Sequence, residues 1–219
     1  MKVELHLHTS RRSECARNTP EQMLARLTEE GYGAAFLTEH DAVWPAEELA
    51  ELQNEFPAVR VLPGVELTLD EGRMEHLLVL GAAEADWARM RDPAAIVARA
   101  RAEGFLTVLA HPLRLLRGTP LLDAGLRPDA LEFLSGNHDA YKARYSARLA
   151  ERLGLRLVNS DDAHEVAAVG RFWIETGRPV LSAADLREIV LAGEYSLHQR
   201  EPTGQRIPGP HPEIVVGRR

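Results

Sequence analysis

The feature that most constrains the fold is an alternation of short apolar runs with helix-type segments along most of the chain. Apolar runs of strand length lie at 3–7, 34–38, 59–69, 74–80, 105–110, 130–134 and 155–159. The segments between them carry helix punctuation. Thr19-Pro20-Glu21-Gln22 predicts a helix start with a capping box and proline in the first turn, and Gly31 predicts its end. Residues 45–56 predict a second helix. Asp92-Pro93 opens a third that Gly104 closes, a short one lies near 119–124, and 139–153 and 182–192 end at Gly154 and Gly193. Residues 70–72, Asp-Glu-Gly, predict a turn. Such alternation predicts an α/β fold, a mostly parallel sheet covered by helices, either open and doubly wound or closed into a barrel. In both architectures functional groups gather at the C-terminal ends of strands. Residues 1–200 read as one domain without an internal repeat, and 201–219 as a Pro- and Gly-rich tail.

Composition narrows the function classes. At 219 residues the chain can build one substantial core, and 45% hydrophobic with 27% charged residues fits a soluble globular protein. No run is long enough to span a bilayer, and the first residues form a strand pattern rather than a signal peptide. The net charge of −7 argues against a broad nucleic-acid surface and a stable complex with long nucleic acid, while leaving room for local basic patches. Aromatic residues, at 5%, are sparse for a long stacking platform. One cysteine, Cys15, excludes an internal disulfide and makes the cytoplasm the expected compartment.

The candidate metal ligands follow the strand pattern. His6 and His8 end the first run, at i and i+2, which share a strand face. His40 follows the second run, Glu66 lies in the third, His76 in the fourth, and His111 follows the fifth. Asp162 and His164 follow the seventh with the same i, i+2 spacing. Glu66 and His76 are symmetric about Glu71, so a regular hairpin would set them opposite each other. A lone His-x-His is most often a pair of solvated or hydrogen-bonded side chains. The coincidence of so many ligand types at strand ends favours a metal centre. Imidazole plus carboxylate suits zinc, manganese or iron, and a site without cysteine suits catalysis better than structure. His138 is a secondary candidate for substrate contact, whereas His198 and His211 read as surface or tail residues. Arg12, Arg114 and Arg117 lie on loops expected at the same face and are candidates for gripping a substrate phosphate.

With these residues assembled, the chain resembles the PHP (polymerase and histidinol phosphatase) domain family. The matching motifs are HLHTS at 6–10, TEHD at 38–41, PGVELT at 63–68, HLL at 76–78, AHP at 110–112 and DAH at 162–164. The resemblance implies a distorted seven-stranded TIM-like barrel with up to three divalent metal ions. By that resemblance His6, His8, Glu66 and Asp162 hold one metal, Glu66 with His76 and His111 a second, and His40 with His164 a third. Glu14 is the candidate for the remaining ligand of the third site. Glu39 or Asp41 would orient His40. The implied activity is phosphoester hydrolysis by a metal-activated hydroxide, with Glu66, Asp162, His164 and His40 in the catalytic machinery. The expected substrate is a small phosphomonoester or nucleotide, or a short oligonucleotide. A non-catalytic metal-binding or regulatory module of the same fold is the alternative. The amidohydrolase superfamily also begins with His-x-His, but its common carboxylated-lysine bridge has no counterpart here, because the only lysines are Lys2 and Lys142.

Overall fold

A computed structural model describes residues 1–70, 72, 74–115 and 118–200. The tail at 201–219, with His211, and the residues Glu71 and Arg117 lie outside the described residues. In chain order the elements are β1 (Lys2–Leu7), α1 (Pro20–Glu29), β2 (Ala34–Leu37), α2 (Ala46–Glu55), β3 (Arg60–Asp70), β4 (Glu75–Leu80), α3 (Pro93–Glu103), β5 (Leu106–Ala110), α4 (Pro120–Asp123), β6 (Ala130–Glu132), α5 (Ala140–Leu153), β7 (Arg156–Val158), β8 (Phe172–Thr176), α6 (Ala183–Ala192) and β9 (Tyr195–Gln199). Helix ends fall where their caps predict. Thr19 and Gln22 form the reciprocal capping box of α1, Asp92 and Asp139 accept backbone N–H groups at the starts of α3 and α5, and Gly104, Gly154 and Gly193 close α3, α5 and α6 in the left-handed region.

The strands form one sheet in the order β7-β6-β5-β4-β3-β2-β1-β8-β9. It is barrel-like and nearly closed. Beyond β7 the chain returns to the end of β1, where His8 N donates to Ala163 O (3.0 Å) and Ala163 N to His6 O (3.3 Å). β1 to β7 thus ring the barrel, while β8 and β9 form an antiparallel pair on the start of β1.

Two expectations are corrected. The sheet has nine strands among the described residues, not seven, since β8 and β9 extend it beyond β1. It is also not mostly parallel. β1–β2, β2–β3, β5–β6 and β6–β7 are parallel, whereas β3–β4, β4–β5, β1–β8 and β8–β9 are antiparallel. One reversal explains the middle of the sheet. The β3–β4 hairpin turns β4 against the ring direction, and β5 must then run opposite to β4. The reversal also brings the start of β4, with His76, to the rim that carries the C-terminal ends of its neighbours.

Three apolar clusters hold the layers together. Val3, Leu5, Phe36, Leu78, Val108 and Val158 fill the barrel, and Leu186, Ile189 and Val190 of α6 close it from below. A second cluster seats α1 and α2 through Met23, Leu27, Trp44 and Leu52. A third seats α3 and α5 through Ile96, Ala100, Leu149 and Ala150. With one end of the barrel sealed by apolar packing, the opposite rim carries the polar residues. Among the described residues no helix is long and apolar enough to cross a membrane.

Candidate metal centre

Glu66 is fully buried and stands at the centre of five imidazoles. Its Oε2 lies 3.1 Å from His6 Nε2, His8 Nε2 and His40 Nδ1. Its Oε1 lies 2.8 Å from His76 Nδ1 and 3.1 Å from His111 Nε2. Asp162 supplies a second carboxylate, with Oδ1 3.4 Å from both His6 Nε2 and His8 Nε2 and 3.6 Å from His164 Nδ1. The rings crowd together, with centroids 4.5 Å apart for His8 and His40 and 4.3 Å for His8 and His164.

The backbone bends to achieve this. His111 (φ 28°), Asp162 (φ 50°) and Asp41, next to His40 (φ 47°), occupy the left-handed region that non-glycine residues seldom adopt. Each turns the chain past a strand, and at His111 and Asp162 the side chain faces the cluster.

The hairpin register differs from the symmetric expectation. Glu66 pairs with Leu78, and Thr68 with His76, with an irregularity between Thr68 and Asp70. The displacement is two residues, one full strand period, so His76 stays on the face of Glu66 and meets it diagonally.

A layer of buried acids orients the imidazoles. Glu132, on β6, lies 3.1 Å from His6 Nδ1, accepts the backbone N–H of His111 (2.7 Å) and accepts a hydrogen bond from Ser160 Oγ. Glu4 accepts the N–H groups of His6 (2.9 Å) and Asp161 (3.1 Å), linking β1 to the segment after β7. Glu39 accepts from Thr9 Oγ1 (2.6 Å), Ser13 Oγ (2.6 Å) and Trp44 Nε1 (3.2 Å). Ser13 Oγ in turn lies 3.4 Å from His8 Nδ1 and accepts His40 N–H (3.2 Å). Glu39 therefore acts on His8 and His40 through Ser13. Asp41 instead accepts Thr68 N–H and pairs with Arg91. The sequence reading missed Glu132 and Glu4. For Glu132 the available signal was a lone acid inside the otherwise apolar run 130–134, where burial without a partner is too costly, whereas Glu4 stands among the polar positions of an alternating strand and gives no such signal.

The charges divide the histidines. Burial disfavours charge on His6 and His8, but the carboxylates of Asp162 and Glu66 outweigh it, holding His6 well above its ordinary value and His8 up to about 9. Burial pushes His40 down to about 3, more than Glu66 can offset, and the charges on His8 and His76 add to the depression. His164 is lowered by burial and by His8. Burial would raise Glu66, yet the surrounding histidines hold it well below the usual carboxylate range.

The donor set fits divalent metal. His6 Nε2, His8 Nε2, His111 Nδ1 and Glu66 Oε2 are buried polar atoms without a hydrogen-bond partner. Ligand atoms converge in three overlapping groups, His6 with His8 and Glu66, His40 with Glu66 and His76, and His8 with His40 and His164. The structure thus brings together His6, His8, His40, Glu66, His76, His111, Asp162 and His164. It leaves Glu14 exposed and outside these groups. His138 is buried with Nδ1 2.7 Å from Phe133 O and lies outside the converging ligand groups. His198 stacks on Trp173. Arg114 is half-buried on the segment after His111. Arg12 is engaged elsewhere, paired with Glu48 of α2 and lying 4.9 Å from the Trp44 ring centroid. Asn137 donates to Asp162 at the edge of a cleft also lined by Cys15, Arg17, His164 and Arg171.

The Glu132 network sets the His6 tautomer, presenting Nε2 to the cluster. Glu132→Gln is expected to weaken metal affinity about 10- to 100-fold with the fold retained. A chelator-competition titration reads this directly, and unchanged affinity would mean that Glu132 only joins β6 to the loop after it.

Comparison with known proteins agrees with the motif reading. A family model described as PHP-associated matches residues 141–195. No curated protein sequence matches the chain. The fold is similar to that of a two-domain protein from Bacteroides vulgatus containing a predicted PHP-like metal-dependent phosphoesterase (TM-score 0.71, 15% identity), over 91% of this chain and 64% of that one. It is also similar to a lesion-specific endonuclease from Pyrococcus furiosus (TM-score 0.64, 14% identity, 90% of this chain and 57% of that one). A candidate metal-dependent phosphoesterase from Bifidobacterium adolescentis gives a TM-score of 0.61 at 15% identity, over 85% of this chain and 94% of that one. The chain therefore spans less than two thirds of the length of the Bacteroides and Pyrococcus proteins. The resemblance to the PHP family is borne out.

Proposed function

We propose, from this PHP-type fold and its crowded rim, that the protein is a metal-dependent phosphoesterase acting on a phosphomonoester or nucleotide-type substrate. One observation carries the reading: a single buried carboxylate, Glu66, contacts five imidazoles while its Oε2 and the Nε2 atoms of His6 and His8 have no hydrogen-bond partner. Such an arrangement has no purpose in a packed core, where each unpartnered polar atom is a cost.

His6, His8, Glu66 and Asp162 would hold one metal, Glu66 with His76 and His111 a second, and His40 with His164 a third. Divalent zinc, manganese or iron there supplies Lewis-acid polarisation of a phosphoryl oxygen and a lowered pKa for water. The chain's own residues do the rest. Glu66 and Asp162 stay ionised and concentrate negative charge beneath the phosphate site. His40 and His164, held neutral by burial, keep lone pairs available at neutral pH. His164 Nδ1 donates to Asp162 O (3.1 Å), which leaves the lone pair on Nε2 for a metal. Arg114, beside His111, supplies a fork for phosphate oxygens.

The test is hydrolysis of p-nitrophenyl phosphate and bis-p-nitrophenyl phosphate by protein of measured metal content. Turnover with two or three metal equivalents, abolished by a chelator and restored by metal, is the expected result. Bound metal without hydrolysis of either ester would return the protein to the non-catalytic module.

A further inference from the structure

We infer that the outer face of α5 is a track for single-stranded nucleic acid that leads to the metal-ligand cluster. This inference rests on the phosphoesterase reading and names its substrate class. Tyr141 and Tyr145 are 69% and 51% exposed, the most exposed aromatic side chains among the described residues. Arg144, Arg148 and Arg152 are exposed on the same helix. Positions 141, 144, 145, 148 and 152 follow i, i+3, i+4, i+7 and i+11, one continuous helical stripe. Ala143, Ser146, Leu149 and Ala150 occupy the buried face.

The stripe differs from the rest of the surface. Many arginines elsewhere are engaged, as Arg99 is by Glu84, Asp86 and Glu103 and as Arg60, Arg127, Arg156 and Arg171 are by backbone carbonyls. No hydrogen bond or ion pair among the described residues engages the side chains of Arg144, Arg148, Arg152, Tyr141 or Tyr145. Lys142 is held by Asp139 (3.3 Å), and Glu151 is the one acid in the helix. The chain's net charge of −7 is an average, and α5 runs against it.

Interleaved rings and guanidinium groups match one chemistry closely. Rings one turn apart stack on successive bases, and the arginines beside them neutralise the phosphates between. An acidic protein would use the arginines and have no need of two wet tyrosines. Position supports the same occupant. Asn137 donates to Asp162, Gly136 N–H donates to Asp161 O (3.0 Å), and Asp139 caps α5. The helix therefore starts at the rim of the cluster and extends roughly 20 Å from it, enough for a few nucleotides.

The experiment is fluorescence anisotropy of a labelled oligothymidylate with the metal-loaded full chain at low salt. The variants are Tyr141→Ala/Tyr145→Ala and Arg144→Gln/Arg148→Gln/Arg152→Gln, all at exposed positions, with thermal melts to verify folding. Wild type is expected to bind, the tyrosine pair to lose roughly tenfold or more in affinity, and the arginine triple to lower the log–log salt slope by about 2. Hydrolysis of the small chromogenic esters is expected to be unchanged in both. No binding by wild type, or equal binding by all three proteins, overturns the track. So does binding that ignores the tyrosines and is competed equally by polyglutamate, which marks an acidic-protein surface. Ester hydrolysis without oligonucleotide binding removes the track alone. Binding through α5 without any phosphoester hydrolysis removes the phosphoesterase reading alone.

Discussion

Glu66→Gln should release most of the bound metal and cut phosphoester hydrolysis by at least about 100-fold. Loss of an outer hydrogen-bond partner of a ligand already costs about 10- to 100-fold, and Glu66 stands among the ligand atoms themselves. The substitution keeps the volume but replaces one carboxylate oxygen with an N–H₂ donor and removes the charge. Its Oε2 faces three imidazole nitrogens and its Oε1 two, so either amide orientation turns a donor toward a histidine. Metal-free protein should suffer too. His6 and His8 lose one of the two carboxylates that hold them charged, and breaking a buried ion pair costs about 3–5 kcal/mol. Elemental analysis and thermal melts of wild type and variant, each with and without metal, separate the two effects. Unchanged metal content would remove Glu66 from the ligand set, and with it the whole assignment of the centre.

Metal loading should become tighter as pH rises, and each loading event should release protons. In the metal-free protein His6 and His8 are held protonated by Glu66 and Asp162, His8 up to about pH 9. Only neutral imidazole ligates metal. Expelling two protons makes apparent affinity climb by roughly 100-fold per pH unit below the titration range, flattening for His8 near pH 9. Calorimetry in buffers of different ionisation enthalpy counts the protons, and an enthalpy independent of buffer would contradict the picture. The stability of metal-free protein moves the other way. A folded pKa raised from 6.5 to about 9 gives stabilisation that is fully present below pH 6.5 and lost as pH passes 9. For His8 this is on the order of 3 kcal/mol. The metal-free Tm should therefore fall between these limits.

Much of this molecule is legible in its sequence because the signals are local. Thr19 with Gln22, and Gly104, Gly154 and Gly193, mark helix ends through backbone chemistry that needs no tertiary partner. The ligand histidines are readable because they sit where apolar runs stop. Other features depend on distant contacts. β8 and β9 are short and half exposed, so their alternation is diluted. The turn at 70–72 marks β4 as antiparallel to β3, but that β5 pairs along the other edge of β4 depends on contacts made across the sheet. Pairing of Asp70 with Glu75 and of Thr68 with His76 centres the hairpin about one residue beyond Glu71, so Glu66 faces Leu78, which a count from the middle of the turn motif does not detect. The loop after β1 resists reading altogether. Glu14 is exposed and Arg12 is taken up by Glu48 and Trp44, because the fold of the loop is set by Glu39 gathering Thr9 and Ser13.

The join between His6, His8 and Ala163 has a consequence for how the protein folds. It pairs the first strand with a segment made more than 150 residues later, so Asp162 and His164 reach His6 and His8 only when the chain has nearly finished wrapping. Contacts of such high sequence separation are slow to form, because the closure entropy is lost before the bond is gained. The metal centre is thus a clasp fastened late in folding. Metal bound across that seam should act chiefly on the unfolding rate, leaving the early, locally encoded steps of assembly to proceed without it.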